Sequence, residues 1–145
     1  MIIMTDYAEH APHNPLQKEA FGQDRIWRMR VYRLSLELCS VARDDFALLR
    51  ARVELRNLAS QLFRATGSIG ANIAEGYSRS SSRDRVRFFE YALGSAREAK
   101  HWYYLLSHEF TVAVLVPRLR LLDEIVRLLL AIIPAERRRG ALTSA

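Results

Sequence analysis

Glu98 and His101 are the residues whose types and spacing come closest to a metal-binding or catalytic arrangement. They form an E-x-x-H unit, from which ferritin-like helical bundles build a two-metal carboxylate site. Such a site needs a second unit, but His108 has Leu105 three residues before it and lies about 10 Å from His101 along a helix. We therefore interpret both histidines as surface residues. The sequence predicts a non-enzymatic protein with no catalytic residue, no metal and no cofactor.

The arginines offer a different chemistry, because the guanidinium fork pairs well with phosphate oxygens. The chain has 22 lysines and arginines against 16 aspartates and glutamates, a net charge of +6. Residues 1–24 carry a net −3, so the rest carries about +9, of which residues 50–87 supply +5. This excess predicts a polyanionic partner. The candidate nucleic-acid-binding residues are Arg52, Arg56, Arg64, Arg79, Arg83 and Arg87.

The basic residues have a second interpretation. The chain contains 20 arginines and only 2 lysines, a bias that codon usage in a GC-rich genome also produces. The charges would then form a solvated face, and the protein would be a structural or interaction scaffold without affinity for nucleic acid. Tyr77 and Tyr91 could stack on unpaired bases, although tyrosines at such positions are more often core or interface residues.

Four helices must position these side chains, because apolar residues recur at steps of three and four along most of the chain. The first helix has an apolar stripe that begins at Trp27, and the second and third helices are predicted at about residues 52–75 and 82–109. The fourth has an inner apolar stripe over residues 119–133. Asp44 and Asp45 are the only interruption between the first two helices, and Pro117 fits the first turn of the fourth. Gly67 and Gly70 suggest a small-residue face on the second helix, which another helix could approach closely.

The segment between the second and third helices has the clearest local signals. Gly76 has the character of a C-terminal cap, with a left-handed backbone that ends the second helix. Ser81 and Asp84 give the S-x-x-D form of a capping box, which predicts the start of the third helix. Asn72 and Glu75 lie near the end of the second helix, where a partly buried hydrogen-bonded pair would hold this corner in place. The alternative for this pair is a ligand-binding role.

The same segment carries a family resemblance. Its residues are Ser68-Ile69, Asn72-Ile73-Ala74-Glu75-Gly76-Tyr77, Arg79, Phe88, Ala92, Leu93, Gly94-Ser95 and Glu98. This pattern resembles the signature of four-helix bundle proteins first noticed as open reading frames in intervening sequences of bacterial 23S ribosomal RNA genes. The similarity extends over about residues 27–133 and implies an all-α, antiparallel up-and-down four-helix bundle. The signature corner consists of Asn72, Glu75, Gly76 and Tyr77.

The resemblance also implies partners. The family includes the accessory variability protein of diversity-generating retroelements, a basic homopentamer that binds a reverse transcriptase and nucleic acid. By this resemblance the chain would bind RNA or a reverse transcriptase, and the signature residues would have no catalytic role. Members often carry proline where this chain has Gly70, and a proline or glycine in the first loop, where this chain has Asp44 and Asp45.

The fourth helix has more apolar surface than a single bundle covers. Besides an inner stripe from Leu119 to Ile133, it has a second stripe formed by Leu121, Ile125, Leu128 and Ile132. A helix in a bundle needs an apolar stripe about 100° wide. We therefore expect the second stripe to be an interface between copies of the chain. The resemblance implies five subunits, a number that the residues alone do not provide.

Most of the chain is expected to form one bundle domain, at residues 25–135. Residues 1–24 are interpreted as a flexible tail, and residues 136–145 as a short basic C-terminal tail. The lone Cys39 excludes an internal disulfide, and the first four residues are too short an apolar run for a secretion signal. The most apolar stretch, residues 128–133, is far shorter than a membrane span. We expect a cytoplasmic protein with no membrane partner.

Overall fold

The computed structural model describes residues 23–143, and the long elements in that range are four helices. They are α1 (Arg30–Leu49), α2 (Arg56–Tyr77), α3 (Ser82–Leu105) and α4 (Val112–Thr143). Short 3₁₀ helices occur at Arg25–Arg28, Val53–Leu55 and Ser107–Glu109. Each long helix packs against its neighbours in sequence, and α1 also packs against α4. The short connections make neighbouring helices antiparallel, so the predicted all-α four-helix fold is confirmed.

The apolar stripes of the four helices meet in one core. Its largest fully buried apolar side chains are Leu38, Leu62, Ile69, Ile73, Tyr103, Leu106, Leu122, Ile125 and Leu129. Ala59, Ala92 and Ala96 are also fully buried, and their small size lets the backbones of α2 and α3 approach each other. Burying a leucine or isoleucine side chain stabilises a fold by about 1.5–3 kcal/mol. Burial of the apolar stripes, which the sequence periodicity predicted, therefore determines how the four helices pack.

Asp44 and Asp45 do not separate the first two helices, so that prediction is wrong. Both lie inside α1, which continues to Leu49. Asp45 is only 4% exposed and accepts hydrogen bonds from Tyr103 on α3 and Arg118 on α4. These partners compensate for burying the carboxylate, so the helix does not need to break there. The break comes at residues 50–55, and α2 begins four residues later than expected.

Gly76 does not close α2 with a left-handed backbone, which corrects the second local prediction. Among the described residues no glycine has a positive φ, and α2 continues through Tyr77 to a C-cap at Ser78. Gly76 is buried, and a Cβ built there would lie 3.0 Å from Phe88 Cβ and 3.1 Å from Phe89 Cε1. The glycine is needed for space, because α3 folds back against α2 at this point. The predicted N-cap is confirmed, since Ser81 Oγ accepts from the Asp84 backbone N–H at 3.1 Å, while the Asp84 carboxylate accepts from the Ser81 hydroxyl at 2.7 Å.

The fourth helix is longer at both ends than its sequence signals suggest. It begins at Val112, where the Thr111 carbonyl accepts from the Val114 and Leu115 backbone N–H groups, so Pro117 lies in the second turn rather than the first. Proline there gives up one helical hydrogen bond to the exposed Ala113, whose carbonyl can bind water instead. At the other end the helix runs to Thr143. The predicted C-terminal tail is therefore wrong for residues 136–143, which continue the helix.

Part of the predicted oligomer interface lies inside the chain's own core. Leu121 is 9% exposed and Ile125 is fully buried, so neither is available to a second copy. The reason is that α1 and α3 flank α4 on both sides and together cover a wider arc than one stripe. Leu128 and Ile132 are half-buried and remain interface predictions.

The two internal glycines of α2 differ in their surroundings. A Cβ at Gly70 would lie 2.9 Å from Ser35 Oγ on α1, so this glycine permits the close approach that the sequence indicated. Nothing lies within 4 Å of a Cβ at Gly67, so no other helix requires a glycine at this position.

The predicted N-terminal tail lies outside the described residues, apart from Gln23 and Asp24. Asp24 caps the first 3₁₀ helix, because its Oδ1 accepts from the Ile26 backbone N–H at 3.0 Å. Within residues 23–143, no helix combines the length and apolar character that crossing a membrane requires.

Candidate nucleic-acid interface

Basic residues from two helices meet at the end of the bundle where α2 turns into α3. The antiparallel order brings the last turns of α4 to this same end, where a Cβ at Gly140 would lie 2.8 Å from Ser82 Cβ. We call this region the corner surface and define it by its arginines: Arg79, Arg83, Arg87, Arg137, Arg138 and Arg139. The first three were predicted from the sequence. The last three were assigned to a tail, and only the length of α4 places them beside the corner.

Arg85 holds the two halves of the corner surface together. Its Nε donates to Glu136 Oε2 on α4 at 2.9 Å. Its Nη1 donates to the carbonyls of Arg79 and Ser80 at 2.9 and 2.8 Å, and its Nη2 donates to Ser82 Oγ at 2.8 Å. Because its side chain is only 19% exposed, Arg85 acts as a structural cross-link between the turn and α4. Its guanidinium group is therefore mostly occupied by partners within the protein.

A cleft of about 790 Å³ separates the serine-rich turn from the end of α4. Its lining combines hydroxyl and guanidinium groups: Ser80, Ser81, Ser82, Arg83, Arg85, Arg137 and Arg139, with Val86, Gly140 and Ala141. These are the groups that bind phosphate oxygens in proteins. The cleft is open to solvent and lies at the surface, so an extended polyanion could reach it.

The corner arginines differ in how far their charge is already paired. The side chains of Arg83 and Arg138 are exposed and make no hydrogen bond or ion pair with any residue in 23–143. Arg79 pairs with Glu75, and Arg137 pairs with Glu90. These two pairs are exposed, and exposed pairs contribute little free energy, so a phosphate can compete for either guanidinium.

Aromatic rings lie beside two of the arginines. The Arg79 guanidinium carbon is 4.9 Å from the centre of the Phe88 ring, and that of Arg87 is 5.6 Å from the centre of the Tyr91 ring. Arg87 Nε also donates to the Tyr91 hydroxyl at 2.8 Å, and this bond raises the pKa of Arg87. The rings hold the guanidinium groups close to α3 while leaving their outer edges exposed.

The other three predicted arginines do not join the corner surface. Arg52 lies at the opposite end of the bundle, where it pairs with Glu54 at 2.9 Å and with Glu109. Arg56 opens α2 and donates from Nε to the Arg50 carbonyl at 3.4 Å. Arg64 is exposed in the middle of α2. Since α2 has 22 residues and is roughly 33 Å long, its first residue is far from the corner.

The signature corner has a different hydrogen-bond pattern from the one expected. Asn72 and Glu75 do not bond to each other. Asn72 Nδ2 donates to the Ser68 carbonyl at 2.8 Å, while Glu75 is exposed and pairs with Arg79. Gly76 supplies the close contact with α3 described above, and Tyr77 is 37% exposed at the edge of the turn. Asn72 and Gly76 therefore have structural roles at the corner. Glu75 partly neutralises the charge of Arg79.

A second polar cluster could not be predicted from local sequence patterns, because its members are far apart in the chain. Tyr103 donates to Asp45 Oδ2 at 2.8 Å, and Arg118 donates to the two carboxylate oxygens at 3.1 and 3.2 Å. Burial and the adjacent Asp45 carboxylate raise the pKa of Tyr103. The buried polar groups of the cluster are hydrogen-bonded to one another. Because they come from three helices, these bonds link α1, α3 and α4.

The E-x-x-H unit is not part of a metal site among residues 23–143, where no group of three or more metal-ligating side chains comes together. Glu98 Oε1 instead accepts from Trp102 Nε1 at 3.2 Å, and the His101 ring contacts the edge of Trp102. His101 and His108 are both exposed, as the sequence indicated.

The described residues form an all-α protein of four long helices. The sequence matches the model of the 23S rRNA-intervening sequence protein family over residues 28–130, and the chain belongs to that family. It is also similar to a crystal structure of a protein with unknown function, from the S23 ribosomal protein family, from Bacteroides thetaiotaomicron VPI-5482. The two chains share 28% identity with a TM-score of 0.67, over 71% of this chain and 97% of the other. None of the curated proteins matches the chain.

Proposed function

We propose that this protein is a non-enzymatic, cytoplasmic RNA-binding bundle, which acts on RNA alone or within a nucleoprotein complex. The observation that carries the proposal is the corner surface, where arginines of two helices surround a cleft lined by hydroxyl groups. Of the arginines that line the cleft, Arg83 has an exposed side chain with no partner among residues 23–143. Unpaired guanidinium groups are the ones that gain most from contact with phosphate.

The balance of charge supports a polyanion over a protein surface. With Arg85, the corner region has seven arginines, and four carboxylates lie among them: Glu75, Asp84, Glu90 and Glu136. The net charge is therefore about +3 on one end of the molecule. A surface of this size would make only a few phosphate contacts, so binding by a single chain would be weak and sensitive to salt.

We extend the proposal to a homopentamer, because five copies of a weak site would bind one RNA by avidity. Leu128 and Ile132 are half-buried and lie one turn apart on α4, which supports an interface there. Within a retroelement, such an assembly would serve as a reverse-transcriptase accessory factor.

The proposal is tested with two matched double variants. Arg83→Glu with Arg87→Glu alters the corner surface, whereas Arg56→Glu with Arg64→Glu makes the same change of charge elsewhere on the molecule. Binding of a labelled RNA is measured by fluorescence anisotropy between about 50 and 200 mM salt. We expect the corner variant to weaken binding and reduce its salt dependence, and the control variant to have a much smaller effect.

A scaffold without nucleic-acid affinity is the second candidate. It is favoured by exposed apolar side chains at the opposite end of the bundle, among them Tyr104 at 75% and Val112 at 78% exposure. Absence of RNA binding by the wild-type protein at about 50 mM salt, where phosphate contacts are strongest, would overturn the first proposal in favour of this one.

A further inference from the structure

Alternating arginines and aromatic rings form a row along the first turns of α3. Arg79 lies over Phe88, the Phe88 and Tyr91 rings are in edge contact with centres 5.9 Å apart, and Arg87 lies over Tyr91. Phe88 is half-buried, whereas Tyr91 is 46% exposed. The row therefore ends in a partly open ring that its neighbours hold in a fixed orientation.

The position of Tyr91 differs from that of an ordinary surface tyrosine. The Phe88 ring makes a perpendicular edge contact with it, and the Arg87 guanidinium both donates to its hydroxyl at 2.8 Å and contacts its ring. The ring consequently loses little freedom when something stacks on it. It also lies one turn from Arg87, so a base on the ring would bring its phosphate towards the corner arginines.

We propose that the corner surface selects single-stranded RNA by stacking an unpaired base on Tyr91. This inference rests on the proposed function and goes beyond it, because phosphate contacts alone are available in single strands and duplexes alike. In a duplex the base faces are covered by neighbouring bases. Only an unpaired strand can present a base face to the ring while its backbone follows the arginines.

The test compares one RNA sequence as a single strand and as a blunt duplex, both at about 100 mM salt, by fluorescence anisotropy. Three variants are measured beside the wild type. Tyr91→Ala removes the ring, Tyr91→Phe keeps the ring and removes the hydroxyl, and Tyr104→Ala removes an exposed tyrosine from the far end of α3.

We expect Tyr91→Ala to weaken single-strand binding about tenfold, as loss of one base–aromatic stack does, and to leave duplex binding nearly unchanged. The slope of affinity against salt, measured between about 50 and 200 mM, should stay the same, because no phosphate contact is lost. Tyr91→Phe should retain the strand preference, and Tyr104→Ala should behave as the wild type.

Equal wild-type affinity for single strand and duplex, or an equal loss for both in Tyr91→Ala, would overturn this inference while leaving the proposed RNA binding intact. A Tyr91→Ala protein with altered assembly size and unchanged strand preference would also overturn it, since Tyr91 would then be an interface residue. Binding to neither RNA would overturn the proposed function itself.

Discussion

Asp45 accepts the hydrogen bonds that link three helices through buried polar side chains. Its carboxylate accepts from Tyr103 and Arg118, and both donors come from other helices. Removing the carboxylate would leave a mostly buried guanidinium without its counter-ion and a buried hydroxyl without its acceptor. Each of those groups would then keep its desolvation cost with nothing to offset it.

We therefore expect Asp45→Ala to lower the free energy of unfolding by about 3 kcal/mol or more. The neighbouring Asp44 is exposed, so Asp44→Ala should change it by no more than about 0.5 kcal/mol. Urea unfolding followed by circular dichroism measures both. Equal effects of the two substitutions would contradict the assigned role of Asp45.

Tyr103 makes stability depend on alkaline pH. Because burial raises its pKa in the folded protein, the unfolded chain releases this proton first. The contribution of Tyr103 is therefore complete below the ordinary tyrosine pKa of about 10 and is lost as pH rises above it. We expect the decline in stability above about pH 10 to be shallower in Tyr103→Phe than in the wild type, as measured by thermal unfolding at several pH values. Parallel declines would exclude this linkage.

At the scale of helices, the close contact between α2 and α3 depends on a glycine in an ordinary helical conformation. A side chain at Gly76 would meet the Phe88 and Phe89 side chains at about 3 Å, whereas a methyl group at Gly67 would meet nothing within 4 Å. The two glycines share a helix and a similar backbone. Substitutions at these two positions therefore distinguish the effect of packing against α3 from the effect of helix propensity.

We expect Gly76→Val to destabilise the protein by roughly 1–3 kcal/mol through overpacking. Gly67→Ala should stabilise it by up to about 1 kcal/mol, because alanine favours the helix and nothing obstructs its methyl group. Thermal denaturation of both variants provides the measurement. A neutral Gly76→Val protein would mean that α3 can move away from α2 at no cost.

At the scale of the whole molecule, the bundle has two unlike ends. One end has the corner surface, and the other has exposed apolar side chains in or next to its two interhelical connections: Leu48, Val53, Tyr104, Leu105 and Val112. A molecule with this polarity could present its basic end to RNA while a different surface contacts other copies of itself. The proposed assembly would then array the corner surfaces without covering them.

We expect wild-type protein to have a mass near five times 16.7 kDa in light scattering at micromolar concentration. Ile125→Glu should unfold the chain, because it places a charge in the core. Leu128→Glu should instead leave helix content intact and dissociate the assembly. A wild-type monomer, or a Leu128→Glu variant of unchanged mass, would contradict the predicted interface.

Local sequence patterns were sufficient for the helices, the Ser81 cap and the family, because periodicity and capping depend on residues a few positions apart. The positions of the arginines were predictable only within each helix. Which of them share a surface depends on the antiparallel packing, which separates Arg56 from Arg83 and brings Arg137 and Arg139 to the cleft that Arg83 lines. Long-range packing likewise decided that Asp45 lies inside a helix, that Gly76 is needed for space, and that Ile125 belongs to the core, since each outcome depends on partners more than ten residues away in the chain.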